Sequence, residues 1–132
     1  LQTFQPQFWH KAADSRDRHL GHVSRLIGSD RAITLVYDAG GAIDGFLVAT
    51  LITPPPVYDP GGLTCIIDDF IIGAAADWGS VGRALLRVAT ADAKGRGATQ
   101  VVIVCAHLDE PKRAMLRDGG YSIASEWYVS GI

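Results

Sequence analysis

Two stretches of this 132-residue chain carry residue types at spacings that could do chemistry. Asp68 and Asp69 interrupt an otherwise apolar run, Leu63 to Ile72 (LTCIIDDFII). Shortly after it, Asp77-Trp78-Gly79-Ser80-Val81-Gly82 leads straight into an amphipathic helical pattern. A helix leaves its first backbone N–H groups unpaired and carries partial positive charge at that end, so such a junction stabilises an anionic group, above all phosphate, without a lysine. The small residues Gly79, Ser80 and Gly82 let a ligand come close to the main chain. Two adjacent carboxylates on a strand stripped of water suit proton acceptance. The plainer reading is that one of them accepts from nearby backbone N–H groups or from an arginine.

The elements that must position these residues follow from periodicity and punctuation. Asp14 or Ser15 can cap a helix to about Ile27, with Leu20, Val23 and Ile27 on one face, Arg16, Arg18 and Arg25 on its solvated side and Gly28 as its stop. Ala32–Tyr37 and Gly45–Ile52 are β-branched runs around Asp38-Ala39-Gly40-Gly41 and predict a hairpin. Thr53–Gly62 holds four prolines and two glycines and can only be a loop. Leu63–Ile72, nearly continuous in apolar residues, predicts a strand buried on both faces. Val81, Leu85, Val88 and Ala89 recur at helical spacing from Ser80 to about Lys94, and Gln100–Cys105 is a further buried strand. Strand, helix and strand in that order make a right-handed βαβ unit with parallel strands. Pro111 suits the first turn of a helix to about Arg117, Gly119-Gly120 stops it, and Tyr121–Val129 alternates as a last strand. The fold class is therefore α/β: a single domain over residues 1–132, its central mixed sheet flanked by helices.

Composition narrows the function. Apolar residues at 48% and charged residues at 20% are those of a globular domain with a real core and room for one site. A net charge of −2 gives no general attraction to nucleic acid or anionic membrane. No apolar run is long enough to span a bilayer, and the first residues lack the pattern of a signal peptide. Cys65 and Cys105 both sit in apolar runs, which predicts buried thiols in a reducing compartment and so a cytoplasmic protein. The histidines and cysteines show no metal-ligand spacing, and no metal is expected.

With these elements in order, the chain resembles the GNAT superfamily of acyl-CoA N-acyltransferases from about Phe8 to Val129. Asp77–Gly82 stands where that family has Q/R-x-x-G-x-G/A, departing at Asp77 and at Ser80, and Arg83-Ala84-Leu85-Leu86 follows as in the family. The flanks IDDFII, KGRGATQVVIVC and KRAMLRDGGY give the match its specificity. The resemblance implies acetyl-CoA in a cleft where the strands Leu63–Ile72 and Gln100–Cys105 splay apart. The pyrophosphate would rest on the turn Trp78, Gly79, Ser80, Val81, Gly82 and Arg83, and the pantetheine arm on the main chain of Phe70, Ile71 and Ile72. Ser80 in place of glycine requires a negative φ there. The family's opening strand and helix are not seen ahead of Asp14. Either they lie outside these residues or the member is shortened, in which case an uncovered sheet edge leads us to expect a homodimer.

The resemblance also implies direct transfer of acetyl from the thioester to a primary amine on a small molecule or protein side chain. Such a reaction needs a base for the amine, a donor for the oxyanion and a proton for the leaving thiolate. Asp68 and Asp69 are the candidates for the base. As neighbours on a strand they should point to opposite faces, leaving one of them for the role, with a bulge able to exchange them. An acidic pair mildly favours a cationic acceptor. The family's acid is a tyrosine four residues before the glycine that ends the last helix, a position occupied here by Leu116, so Tyr121, Tyr128 or solvent is left for it. The asparagine common nearby is Asp109. Glu126-Trp127-Tyr128 and Tyr58 are candidates to line or cover the acceptor pocket, Trp127 equally to pack the sheet, while His107 and Cys105 have blander readings as a loop histidine and a small buried hydrophobe.

Overall fold

The computed structural model describes residues 1–132. In chain order it contains α1 (Ser15–Leu26), β1 (Ala32–Asp38), β2 (Ile43–Ile52), β3 (Leu63–Ile72), a 3-10 turn (Ala75–Gly79), α2 (Val81–Gly95), β4 (Ala98–Ile103) and α3 (Glu110–Asp118). The sheet order is β1-β2-β3-β4. β1, β2 and β3 are antiparallel neighbours, and β3 and β4 run parallel as a crossover through α2 requires.

α2 forms because Val81, Leu85, Leu86, Ala89 and Ala93 make one apolar stripe, and all five are buried. That stripe lies on the sheet against Ile33, Leu47, Ala49, Leu51, Cys65, Ile67 and Phe70, which together with Trp78, Ala98 and Met115 form the core. Small residues let the helix sit close. Gly45 in β2 has Leu85 Cδ1 at 3.1 Å from where a Cβ would stand.

Three expectations are corrected. Tyr121–Val129 forms no strand: alternation marks a face, but a strand also needs a partner, and this segment makes no ladder. Instead Trp127 meets the ring of Phe8 edge-on at 5.9 Å, bringing the two ends of the chain together, and it does not pack on the sheet. α1 buries none of its residues, and of the expected apolar face Leu20 and Ile27 are exposed while Val23 is half-buried. Asp14 precedes it without a capping bond, its carboxylate taken by Arg18 at 2.8 Å. β4 begins and ends two residues earlier than the apolar run Gln100–Cys105, because Val104 and Cys105 continue past the point where β3 accompanies them.

Gly82 serves packing rather than ligand approach. A Cβ there would lie 2.6 Å from Trp78 Cε3, and Trp78 is itself buried against Phe70 with ring centroids 4.9 Å apart. Gly82→Ala should therefore cost about 1–3 kcal/mol through overpacking, despite alanine's better helix propensity. A denaturant midpoint unchanged from the wild type would contradict that packing.

Candidate functional site

The site begins where two strands part. β3 and β4 pair from Leu63 with Ala98 to Ile67 with Ile103, and a last bond joins Val104 N–H to Ile67 O at 2.9 Å. On its other side β3 stays with β2 to the end, where Gly73 N–H donates to Asp44 O at 2.8 Å. Alternation along the strand then turns the main chain of Ile71 toward β2 and that of Phe70 and Ile72 into the gap left by β4. Ile71, expected with its two neighbours to face a ligand, is thus the member of the three whose main chain looks away.

At the mouth of this gap sits the strand-to-helix junction. The 3-10 turn Ala75–Gly79 is held by Asp77 N–H to Ala74 O and Ser80 N–H to Asp77 O. α2 then starts at Val81, its first bond running from Ala84 N–H to Ser80 O at 2.9 Å. The N–H groups of Val81, Gly82 and Arg83 stand at the free, positive end of the helix. Ser80 has φ −108°, so no glycine is required there, and its hydroxyl caps nothing, donating only to Asp77 O at 3.2 Å. Gly79 and Ser80 are exposed, with open space beside Gly79, and Arg83 is an exposed cation in the first turn. Trp78 and Val81 have their side chains in the core, so only their main chain reaches the surface of the turn.

A bulge sets the two aspartates. Val48 pairs with Asp69 and Ala49 with Ile67, leaving Asp68 as the extra residue. Ile67 and Phe70 both belong to the core beneath α2, so the bulge keeps both aspartates out of it. The expected division between opposite faces does not hold: Asp68 is exposed, and Asp69, half-buried, lies with its Oδ2 2.8 Å from His19 Nε2 of α1. A carboxylate against one imidazole nitrogen orients the ring and leaves the other nitrogen to face a substrate, and imidazole is the side chain that exchanges protons near neutral pH. His19 was not legible in the sequence. It lies 50 residues from Asp69, on a helix whose pattern gives no reason to single it out.

The second residue that sequence reasoning missed is Lys112. It caps the vertex of the gap from the first turn of α3, which Pro111 starts and Asp109 caps by accepting from Lys112 N–H at 3.4 Å. Lys112 Nζ donates to Phe70 O on one wall at 3.2 Å and to Val104 O on the other at 2.9 Å. The ammonium lies 5.0 Å from the ring centroid of Phe70 and 5.3 Å from that of Trp78. Lys112 is only 4% exposed, unusual for its type. Burial pushes its pKa below the ordinary lysine value, and the nearby Asp109 and Asp69 carboxylates oppose that shift. A signal was present in the spacing: Lys112 stands four residues before Leu116, one helical turn away on the same face.

The other candidates stand away from the gap. Tyr121, half-buried, borders a depression at the outer edge of β4 lined also by Ala98, Gln100 and Val101. Tyr128 is almost fully exposed and donates to Glu126 at 2.9 Å, which raises its hydroxyl pKa and weakens it as an acid. Tyr58 is exposed in the proline loop, and Tyr37 lies on β1 at the far edge of the sheet. Burial, chiefly, pushes the Cys105 thiol upward in pKa, which suits a small packed side chain rather than a nucleophile. His107 is exposed, 3.9 Å from Glu126.

No protein-family model matches the chain, and no curated protein matches it in sequence. Solved structures do match. An aminoglycoside N-acetyltransferase, AAC(6')-Iy, in complex with a bisubstrate analogue superposes with TM-score 0.74 at 13% identity, over 99% of this chain and 88% of that one. The fold is that of the GNAT acetyltransferases. A putative acetyl transferase from Pyrococcus furiosus shares the GNAT fold at TM-score 0.68 and 22% identity, covering 90% of this chain and 78% of that one. A transcriptional regulator from Bacillus halodurans matches at TM-score 0.71 and 18% identity, covering 92% and 86%. The parting of β3 and β4 is thus the splayed pair expected for a GNAT fold. Leu116 is half-buried on α3, one turn after Lys112.

Proposed function

We propose that this chain is an N-acetyltransferase that moves acetyl from acetyl-CoA directly to a primary amine, on a small molecule or a protein side chain. The observation that carries the reading is the junction of three parts: a gap between parallel strands into which the Phe70 N–H and the main chain of Ile72 turn, a helix N-terminus at its mouth, and the Asp69–His19 pair on the bulged wall. In this reading the pyrophosphate of acetyl-CoA takes the N–H groups of Val81 to Arg83, with Gly79 and Ser80 leaving room. The pantetheine arm pairs with β3 in place of the departed β4. His19, held by Asp69, removes the proton from the attacking amine. Asp68, exposed beside it, favours an acceptor that arrives as a cation. Support from the likeness is for the fold, and a structural neighbour was solved in complex with the bisubstrate analogue CoA-S-monomethyl-acetylneamine.

One observation favours a second reading. No tyrosine reaches the gap, as a cleft that binds acyl-CoA without turnover would permit. Incubating the protein with acetyl-CoA and a panel of polyamines, aminoglycosides and lysine peptides separates the two by free thiol released. Amine-dependent release supports the transferase. Binding of acetyl-CoA with no release by any amine supports the silent cleft. No binding at all contradicts both and leaves a protein-interaction subunit with an unused cleft.

A further inference from the structure

Lys112 is an expensive residue to keep. Taking an ammonium out of water costs several kcal/mol after relaxation, and a methionine of similar length would fill the same space among Phe70, Trp78 and the strands. Part of the reason is structural. Where β3 and β4 separate, Phe70 O and Val104 O have no strand partner, and Lys112 Nζ supplies a donor to each. That accounts for two of the three ammonium protons. The third has no acceptor in the chain, and the ammonium sits where the two walls of the gap meet, 5.0 Å from the Phe70 ring centroid and 5.3 Å from that of Trp78.

Resting on the transferase reading above, we propose that Lys112 is the acid that receives the leaving thiolate, in place of a tyrosine at Leu116. The vertex of the gap holds a desolvated positive charge bonded to Phe70, whose main chain borders the pantetheine arm in the transferase reading. Charge placed in such a dry site acts more strongly than in water. As the amine nitrogen bonds to the acyl carbon and the C–S bond breaks, the electron pair goes to sulfur, and Lys112 Nζ passes it a proton. The amine's own proton goes to His19. Lys112 then regains a proton from water, and His19 returns one, so the cycle balances as amine plus thioester giving amide plus thiol. Burial brings the lysine's pKa below its ordinary value, the direction that favours proton transfer from an ammonium. The titratable groups around Nζ are Asp69 from β3, Asp109 at the cap of α3 and the Cys105 thiol beyond β4; the two carboxylates help to keep it protonated, while the thiol, itself raised in pKa, stays neutral.

The test compares the wild type with Lys112→Met and Lys112→Arg, using acetyl-CoA and an acetyl thioester of an acidic aryl thiol, whose leaving group needs no proton. Lys112→Met is expected to lower kcat with acetyl-CoA about 100-fold while leaving the Kd for acetyl-CoA within a few-fold, and to cost little with the aryl thioester. Lys112→Arg keeps the charge and its donors; it should retain part of the activity and push the alkaline limb of kcat to higher pH. Equal losses with both donors would make Lys112 purely structural and overturn the proposal, as would an alkaline limb that Lys112→Arg does not move. If Lys112→Met fails to fold, that limb alone decides. A wild type that binds no acetyl-CoA or releases no thiol would instead bring down the transferase reading, and this proposal with it.

Discussion

Asp69→Asn is expected to lower kcat about 100-fold, within the range that a positioned general base contributes, with acetyl-CoA affinity unchanged. Asparagine keeps the shape but replaces the carboxylate that orients the His19 ring across 2.8 Å with an amide. His19→Ala should cost about as much. Since the two act as one unit, the double variant should be little worse than either, whereas independent roles would multiply the losses. Asp68→Asn should cost at most a few-fold, because the bulge leaves that carboxylate in water. Steady-state kinetics with the best amine from the screen would decide the matter. A larger loss at Asp68 than at Asp69 would assign the base to the wrong residue.

Ser80→Asp should weaken acetyl-CoA binding on the order of 100-fold and leave the fold as stable as before or slightly more so. Ser80 is exposed, has a negative φ, and caps none of the N–H groups of α2. Aspartate is a preferred N-cap and complements the helix dipole, which is worth about 0.3–1 kcal/mol. Its carboxylate would take the same N–H groups that the pyrophosphate needs and repel the phosphates as well. Opposite signs on stability and on binding distinguish this effect from ordinary damage. A loss of binding accompanied by a lower melting temperature would point to damage instead.

Much of this was legible in the chain because the decisive signals are local. A ten-residue apolar run can hardly be anything but a central strand, and β3 spans the expected Leu63–Ile72. The turn at Asp77–Gly82 marks the start of α2, and of the four residues read at helical spacing Val81, Leu85 and Ala89 do face the core, while Val88 is exposed. What could not be read depends on partners far away in sequence. The alternation of Tyr121–Val129 has no neighbouring strand to realise it. The bulge at Asp68 is a matter of register against Val48 and Ala49. His19 gains its meaning only when α1 brings it to Asp69, and Lys112 reads as a surface residue until the strands it bridges are seen to part. Gly82 illustrates a third case: the sequence shows that a small residue is needed, and the structure shows that a tryptophan ring is the reason.

The central claim is that the gap between β3 and β4, with the turn at Ser80, is a seat for acetyl-CoA. Calorimetric titration of the wild type with acetyl-CoA, with dephospho- and desulfo-analogues as controls, tests it most directly. The account predicts micromolar binding at one site per chain, lost in Ser80→Asp. A folded wild type that gives no heat and no displacement with any of these ligands would contradict it.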